Sequence, residues 1–156
     1  FEKYKGYTTA PEINPNYLMP KQVQTRLQKL MDEYVAGCTP MYQTNKIMLE
    51  EGLKRLTLLK EDATRLAARD LHELMRAWEN VHRMWQAEAH VRTMLFRQET
   101  RWPGYYVRSD KPKMNEGEWH VFANCRCDPN TEQWEMMARP IKSIFAEAKE
   151  HELLGG

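Results

Sequence analysis

One pair of residues has a spacing that is typical of metal chemistry. Glu79 and His82 lie three positions apart inside a helical pattern, and in di-iron four-helix bundles a Glu-x-x-His element places both side chains on one helix face. Such a site also needs a second element of this kind and two further glutamates. No second Glu-x-x-His occurs in the 156 residues, so solvated or locally paired side chains are the favoured interpretation and a metal enzyme is a minor alternative.

Other residue types that commonly perform catalysis show no usable arrangement. The three cysteines (Cys38, Cys125 and Cys127) are an odd set with one short spacing, which suits neither a disulfide framework nor a zinc site. The glycines never form a phosphate-binding loop, and no Ser or Cys nucleophile occurs beside a His and a carboxylate. We interpret the cysteines as reduced structural thiols and predict no catalytic, cofactor-binding or metal-binding residue in this chain.

A dense group of arginines, carboxylates and aromatic rings follows the last long helical pattern. Interleaved rings and arginines can bind single-stranded nucleic acid, but the flanking acids and a net charge of only +1 argue against a nucleic-acid partner. We expect salt bridges instead, some within the motif and some to another domain. The residues that we assign to an inter-domain or subunit interface are Arg97, Glu99, Arg101, Trp102, Tyr105, Tyr106, Arg108 and Asp110.

Two amphipathic helices are predicted in the first half of the chain. The first begins at Pro20, which suits a first helical turn, and ends near Gly37, while Thr44 can cap the second. Gly52 is the one weak point of the second helix. Apolar residues at helical spacing form a stripe on each. The first stripe is Val23, Leu27, Leu30, Met31 and Tyr34, and the second is Leu49, Leu53, Leu56, Leu59, Ala63 and Leu66.

A third helix is predicted to be unusually long. Asp70 and Glu73 form a capping-box-like start, and no Gly or Pro interrupts the pattern before Pro103. Its roughly 30 residues would span about 45 Å, slightly more than the roughly 40 Å diameter of a domain of this size. Its core-facing stripe is predicted to be Leu71, Leu74, Met75, Trp78, Val81, Trp85 and Ala89, widened in the second half by Met84, Val91, Met94 and Leu95.

Beyond Pro103 the pattern changes to strands. The segments "EWHVFANCRC" and "EQWEMMAR" flank a turn-rich "DPNT" and predict a two-stranded hairpin that rests on the helices or on a neighbour. A short C-terminal helix follows, with Ile141, Ile144 and Phe145 facing inward. The predicted fold is mainly α, a three-helix bundle with one long helix plus a small β-hairpin and a short terminal helix.

The chain divides into three predicted parts: an extended, aromatic N-terminal arm (1–19), the helical bundle with the motif loop (20–118), and the hairpin with the C-terminal helix (119–156). Because the arm lacks apolar periodicity, we expect it to lie against something else, and Phe1 suggests a fragment of a longer subunit. No apolar run approaches the roughly 20 residues that span a bilayer. We predict a cytoplasmic protein without direct membrane insertion.

The motif "RQETRWPGYYVRSDKPKMNEGEWH" at 97–120 resembles the segment E-S-R-G-x-H-x-R-x-D-x-P of the helical domain in the succinate dehydrogenase and fumarate reductase flavoprotein family. Thr100 replaces the family's Ser, and the family's histidine is absent. The matching positions are Glu99, Arg101, Arg108, Asp110, Pro112 and Trp119. The form E-T-R-W-P-G-Y-Y, together with "DLHELMRAWENVHRMWQAEA" at 70–89 and "WHVFANCRCDPNTEQWEM" at 119–136, resembles the adenylylsulfate reductase alpha subunits within that family.

This resemblance implies a scaffold role. The family's alpha subunits have an FAD-binding domain, a capping domain and a C-terminal helical domain, to which this chain would correspond. The resemblance implies FAD in the rest of the subunit, [4Fe-4S] clusters in an iron–sulfur beta subunit, and two-electron conversion of adenylylsulfate to AMP and sulfite or the reverse. It assigns no catalytic residue to this chain. The alternative is a free-standing helical protein-interaction module without redox function.

Overall fold

The computed structural model of the chain describes residues 16–101 and 104–142. Three helices form a bundle, as predicted, and a small antiparallel hairpin follows them, so the mainly α fold class is confirmed. The predicted N-terminal arm lies outside the described residues up to residue 15, and so does the predicted C-terminal helix from residue 143. Ile141, which was expected to face inward, is described and is exposed. The helices of the bundle are α1 (Pro20–Tyr34), α2 (Lys46–Ala63) and α3 (Leu71–Phe96).

Helix α1 begins at Pro20, as predicted, and its start is closed by the Gln22 side chain, whose Oε1 accepts the backbone N–H of Met19 at 2.8 Å. The helix ends at Tyr34, slightly before the predicted end, because Val35 departs from helical geometry and Ala36 adopts a φ of +57°. Gly37 follows where the chain folds back on the helix. A Cβ at this position would lie 2.4 Å from the Cα of Asp32, so a side chain does not fit.

Helix α2 shows one error in the prediction. Thr44 is not its cap: Asn45 is, because its side-chain oxygen accepts the backbone N–H of Met48 at 3.0 Å. Thr44 is instead fully buried, and its hydroxyl donates to the Tyr34 carbonyl at 2.8 Å. The predicted apolar stripes of α1 and α2 are confirmed, since every member is buried or partly buried.

Helix α3 starts at the predicted residue and ends before the predicted end. The Asp70 side chain accepts the backbone N–H of Glu73 at 2.8 Å, which confirms the predicted cap. The helix has 26 residues, about 39 Å at 1.5 Å per residue, so the estimate of some 30 residues was too long. It ends at Phe96 because Arg97 turns to extended geometry, with φ −75° and ψ 114°.

The buried face of α3 also differs from the prediction. Leu71, Met75 and Trp78 were expected in the core and are exposed, while Ala77 and Ala87 are buried. Small alanines let α1 and α2 approach the helix closely, and this decides which face turns inward. The remaining predicted members, Leu74, Val81, Trp85 and Ala89, are only partly buried. The predicted widening residues Met84, Val91 and Met94 are buried, and Leu95 is partly buried.

Two apolar clusters hold the bundle together. The larger joins α1, α2 and the first two-thirds of α3 around Leu27, Leu56 and Met84. The smaller lies where α1 ends and α3 approaches its C-terminus, and it contains Val35, Ala36, Leu49, Val91 and Met94, with Tyr106 packed against it. The loop that follows α3 packs on this second cluster through Tyr106.

The hairpin is confirmed and rests on the helices. Strands β3 (Val121–Cys127) and β4 (Trp134–Pro140) pair antiparallel, with Cys127 opposite Trp134. The Trp134 ring lies 6.1 Å from the Trp85 ring of α3 and under the guanidinium of Arg92. An isolated two-stranded hairpin is only marginally stable, and these contacts with α3 stabilise it.

Three smaller elements were not predicted. Strands β1 (Gln43–Thr44) and β2 (Val107–Arg108) pair in parallel, and the four-residue helix α4 (Glu116–Trp119) precedes the hairpin. The β1–β2 pairing joins segments that are more than sixty residues apart in sequence. In the described ranges, no helix is long and apolar enough to cross a membrane.

Candidate functional site

Five of the predicted interface residues gather at the end of α3: Arg97, Glu99, Arg101, Arg108 and Asp110. Together with Thr100 and Trp119, which were not assigned to the interface from sequence, they form what we call the motif corner. The corner forms because the chain leaves α3 at Arg97, passes through β2 and returns along α4. It is therefore built from one continuous stretch of sequence folded back on a helix end.

Glu99 is the hub of the corner. Its fully buried carboxylate accepts from Arg97 Nη1 at 2.6 Å, from Arg101 Nε at 2.6 Å, and from the backbone N–H of Asn115 at 2.8 Å. Burial alone would raise the pKa of Glu99, but the hydrogen bonds from Arg101, Asn115 and Arg97 outweigh it and hold the pKa below its usual value. The carboxylate is thus ionised at neutral pH and links α3 to the loop before α4.

Arg108 is the second centre of the corner, and its side chain is fully buried. Its Nε and Nη2 donate to the two carboxylate oxygens of Asp110 at 2.9 and 2.7 Å. Its Nη1 donates to the carbonyls of Met94 and Arg97, which are left without helical partners at the C-terminus of α3. A buried cation therefore caps the negative end of the long helix, and the hydrogen bonds from Arg108 lower the pKa of Asp110.

Thr100 fixes the loop inside the corner, and Thr44 ties the corner to the rest of the bundle. The Thr100 hydroxyl accepts the backbone N–H of Arg108 at 2.9 Å and donates to the Lys111 carbonyl at 2.8 Å. Through the β1–β2 pairing, the Thr44 carbonyl accepts from the backbone N–H of Ser109 at 2.8 Å. Neither threonine was assigned to the site from sequence, because a hydroxyl that bonds only to backbone leaves no spacing signal.

Arg97 and Arg101 connect the end of α3 to α4 and to the start of the hairpin. Arg97 donates to the carbonyls of Trp119 and Val121 at 3.0 and 2.8 Å, and Arg101 also donates to Glu116 at 2.8 Å. All three motif arginines consequently have carboxylate partners inside this chain. Whether the corner also contacts another domain stays a prediction.

The aromatic residues of the motif have different environments. Trp119 is buried, and its ring meets the Phe96 ring edge-on at 5.4 Å. Within the described ranges its indole N–H is buried without an acceptor. Tyr106 packs on the second apolar cluster, whereas Tyr105 is 76% exposed. Trp102 lies outside the described residues.

The residues first considered for metal chemistry have other contacts. Glu79 accepts from Arg83 at 3.3 Å, and the His82 ring meets the Trp78 ring at 4.9 Å. The structure, over 16–101 and 104–142, contains no group of three or more His, Cys, Asp or Glu that could hold a metal ion. Each of the three cysteines is a free thiol.

A cleft of about 510 Å³ between α2, α3 and the hairpin turn is another place where a ligand could bind. Its cations are already engaged: Lys60 and Arg92 both bind the Glu88 carboxylate, at 2.5 and 2.8 Å. Burial would raise the pKa of Glu88, but these two cations lower it overall. Lys60 also lies 4.0 Å above the Trp85 ring, so neither its charge nor this ring face is open to a cofactor.

Comparison with known proteins agrees with the geometry. Residues 24–152 match the family model of the fumarate reductase flavoprotein C-terminus. The adenylylsulfate reductase subunit alpha of Megalodesulfovibrio gigas is 41% identical over 145 residues, which are 93% of this chain and 22% of that protein. The chain thus spans less than a quarter of this relative's length.

Solved structures give the same picture. The adenylylsulfate reductase of Archaeoglobus fulgidus is 53% identical with a TM-score of 0.82, over 92% of this chain and 22% of that one. An E. coli quinol fumarate reductase chain shares the fold at 14% identity and a TM-score of 0.73, over 91% of this chain and 23% of that one. The alternative of a free-standing interaction module is not favoured by these matches. The chain belongs to the fumarate reductase flavoprotein C-terminal family.

Proposed function

We propose that the chain is the C-terminal helical domain of an adenylylsulfate reductase alpha subunit. The observation that carries the proposal is the 53% identity and the common fold with an adenylylsulfate reductase, compared with 14% to a fumarate reductase of the same fold. The whole enzyme would convert adenylylsulfate and two electrons to AMP and sulfite, or run in reverse, in the cytoplasm. An iron–sulfur beta subunit with [4Fe-4S] clusters would exchange the electrons.

FAD would be held by the domains that precede this one in the subunit. The residues described here do not suit the group, because the motif arginines that could meet its pyrophosphate are each neutralised by Glu99, Asp110 or Glu116. We therefore assign no chemical step to this chain. Its contribution is mechanical: the bundle and the motif corner form a rigid body on which the FAD and capping domains and the beta subunit can seat.

The corner would serve that role in two ways. Its buried ion pairs fix the loop that follows α3, which rigidifies the surface around it. The exposed Tyr105 would then offer aromatic contact to another domain, since aromatic anchors are enriched at interfaces. We therefore propose that the motif corner contacts another domain through its exposed aromatic surface.

The test is an activity measurement on the full-length gene product, purified together with its partner subunit. We expect flavin absorbance and reduction of ferricyanide that requires both sulfite and AMP. Omission of AMP is the control, because sulfite alone reduces ferricyanide slowly. Bound flavin without AMP dependence would contradict the proposed substrate, and absence of flavin would contradict the proposed subunit.

A further inference from the structure

Two thiols and a thioether lie on one face of the hairpin. Cys125 and Cys127 are two positions apart on β3, and side chains two apart on a strand point to the same side of the sheet. Met136 of β4 is directly opposite Cys125, and Trp134 is directly opposite Cys127. Residues that face each other across an antiparallel pair have their Cβ atoms about 4.5–5.5 Å apart. Three sulfur atoms are therefore neighbours on this face.

The spacing of the two cysteines is too long for a disulfide and suits a bridging ion. Alternate residues of a strand are about 6.7 Å apart along the backbone, whereas a disulfide needs Cβ atoms about 3.5–4.5 Å apart. Both cysteines are accordingly free thiols. Two metal–sulfur bonds of about 2.3 Å each place the sulfur atoms about 4.6 Å apart. Side chains that lean toward each other along the strand can reach this separation.

The two thiols have different environments. Cys125 is exposed and leaves the face open to an incoming ion, while Cys127 is half-buried next to Trp134, whose ring packs on Trp85 of α3. Desolvation raises the pKa of Cys127, and its Sγ donates a long hydrogen bond to the Asp128 carbonyl at 3.7 Å. An ion that binds here displaces the thiol proton and gives up only this weak contact, so its affinity should decrease as the pH falls.

The set of donor atoms selects the class of ion. Thiolates and thioethers are soft ligands that favour Cu(I), whereas structural zinc almost always takes four ligands. Over 16–101 and 104–142, no group of three or more His, Cys, Asp or Glu could hold a metal ion. Two cysteines with one methionine do not meet the requirement of zinc, but they are enough for a copper ion of low coordination number.

We propose that Cys125 and Cys127 bind a single Cu(I) ion, with the sulfur of Met136 as the third ligand. The cysteine spacing that suits neither a disulfide framework nor zinc thus fits another class of ion. The site is separate from the motif corner, and the proposal does not depend on the function proposed for the whole subunit.

The test is a Cu(I) titration of the full-length gene product, reduced, free of metal and kept under anaerobic conditions, against the competing chelator bicinchoninate. The variants are Cys125→Ser, Cys127→Ser and Met136→Leu. The matched control is Cys38→Ser, which removes an exposed thiol whose described contact is the Tyr42 hydroxyl, at 3.3 Å. A Zn(II) titration of the same preparations tests the class of metal.

We expect the unmodified protein and Cys38→Ser to retain one equivalent of Cu(I) more than either serine variant of the hairpin. Loss of an outer partner already weakens metal binding by about 10–100-fold, so loss of a ligand should cost at least about a hundredfold, and Met136→Leu about tenfold. Equal retention by the unmodified protein and the hairpin serine variants would overturn the proposal. Zn(II) bound as tightly as Cu(I) would also overturn it.

A second measurement decides the result if a hairpin variant fails to fold. X-ray absorption at the copper edge of the unmodified protein, loaded with one equivalent of Cu(I), reports the atoms around the ion. Two or three sulfur neighbours at about 2.3 Å would support the site. Nitrogen or oxygen neighbours alone would overturn it, because the hairpin face offers the ion only sulfur side chains in this register.

Discussion

Arg108 and Asp110, two residues apart in sequence, form a two-point ion pair in which Nε and Nη2 meet the two carboxylate oxygens at 2.9 and 2.7 Å. The third guanidinium nitrogen caps the carbonyls of Met94 and Arg97. The same side chain thus ends the long helix and anchors the loop that follows. Arginine suits this position because its planar fork can satisfy all these acceptors together, which a lysine cannot.

Replacement of one partner in this pair should be costly. Asp110→Asn leaves the fully buried Arg108 guanidinium without its carboxylate, and because the Asp110 side chain is itself 28% exposed we expect a loss of about 1–3 kcal/mol in the free energy of unfolding. Urea unfolding of the 156-residue chain, followed by circular dichroism, measures it. Asp128→Asn in the hairpin turn is the matched control, because that side chain accepts from the backbone N–H groups of Asn130 and Thr131, which an asparagine oxygen can also do. A loss below about 1 kcal/mol for Asp110→Asn, the range of an exposed pair, would contradict a structural role.

The acid sensitivity of the fold should depend on Glu99. Its pKa in the folded chain lies below the usual value, so its contribution to stability is present above the unfolded pKa near 4.3 and is lost as the pH falls through the folded pKa. We expect the free energy of unfolding to decrease below about pH 5, and Glu99→Gln to decrease with a shallower slope. A urea series across pH checks this, with the exposed Glu135→Gln as control. Identical slopes for Glu99→Gln and the unmodified chain would argue against it.

The buried indole of Trp119 gives a third expectation. Its N–H has no acceptor in the part of the chain that the structure describes, and an unsatisfied buried donor costs about 1–3 kcal/mol. Trp119→Phe removes the donor and keeps a ring against Phe96, whereas Trp119→Ala removes the packing as well. We expect the phenylalanine variant to be at least about 2 kcal/mol more stable than the alanine variant. Equal destabilisation by both, measured by urea unfolding, would contradict this expectation.

The sequence predicts the parts of the fold that depend on local signals. The stripes of α1 and α2 follow from regular leucine spacing, the start of α3 from the Asp70 cap, and the hairpin from a turn between two apolar runs. The face of α3 was wrong because large side chains were weighted above small ones. Ala77 and Ala87 permit close helix packing, and the large Leu71 and Trp78 remain outside.

The end of α3 and the connections of the motif corner depend on distant residues. The helix stops at Phe96 under a cap supplied by Arg108, and the β1–β2 pairing joins Thr44 to Arg108, more than sixty residues later in the sequence. Neighbouring charges predicted that Glu99 and Asp110 would pair with arginines. The sequence could not show that Glu99 also accepts a hydrogen bond from the Asn115 backbone N–H, or that Arg97 donates to the Trp119 carbonyl. Those contacts form only after the chain has folded back on the helix end.

The central claim is that this domain supports a flavoenzyme without taking part in its chemistry. The most direct measurement compares flavin occupancy with turnover per bound flavin in the full-length enzyme carrying Arg101→Gln. We expect fewer flavin-containing molecules, because Glu99 loses one of its two arginine partners, while turnover per flavin changes by less than about twofold. Full flavin occupancy with turnover reduced by about tenfold or more would contradict the claim and place the motif corner in the reaction itself.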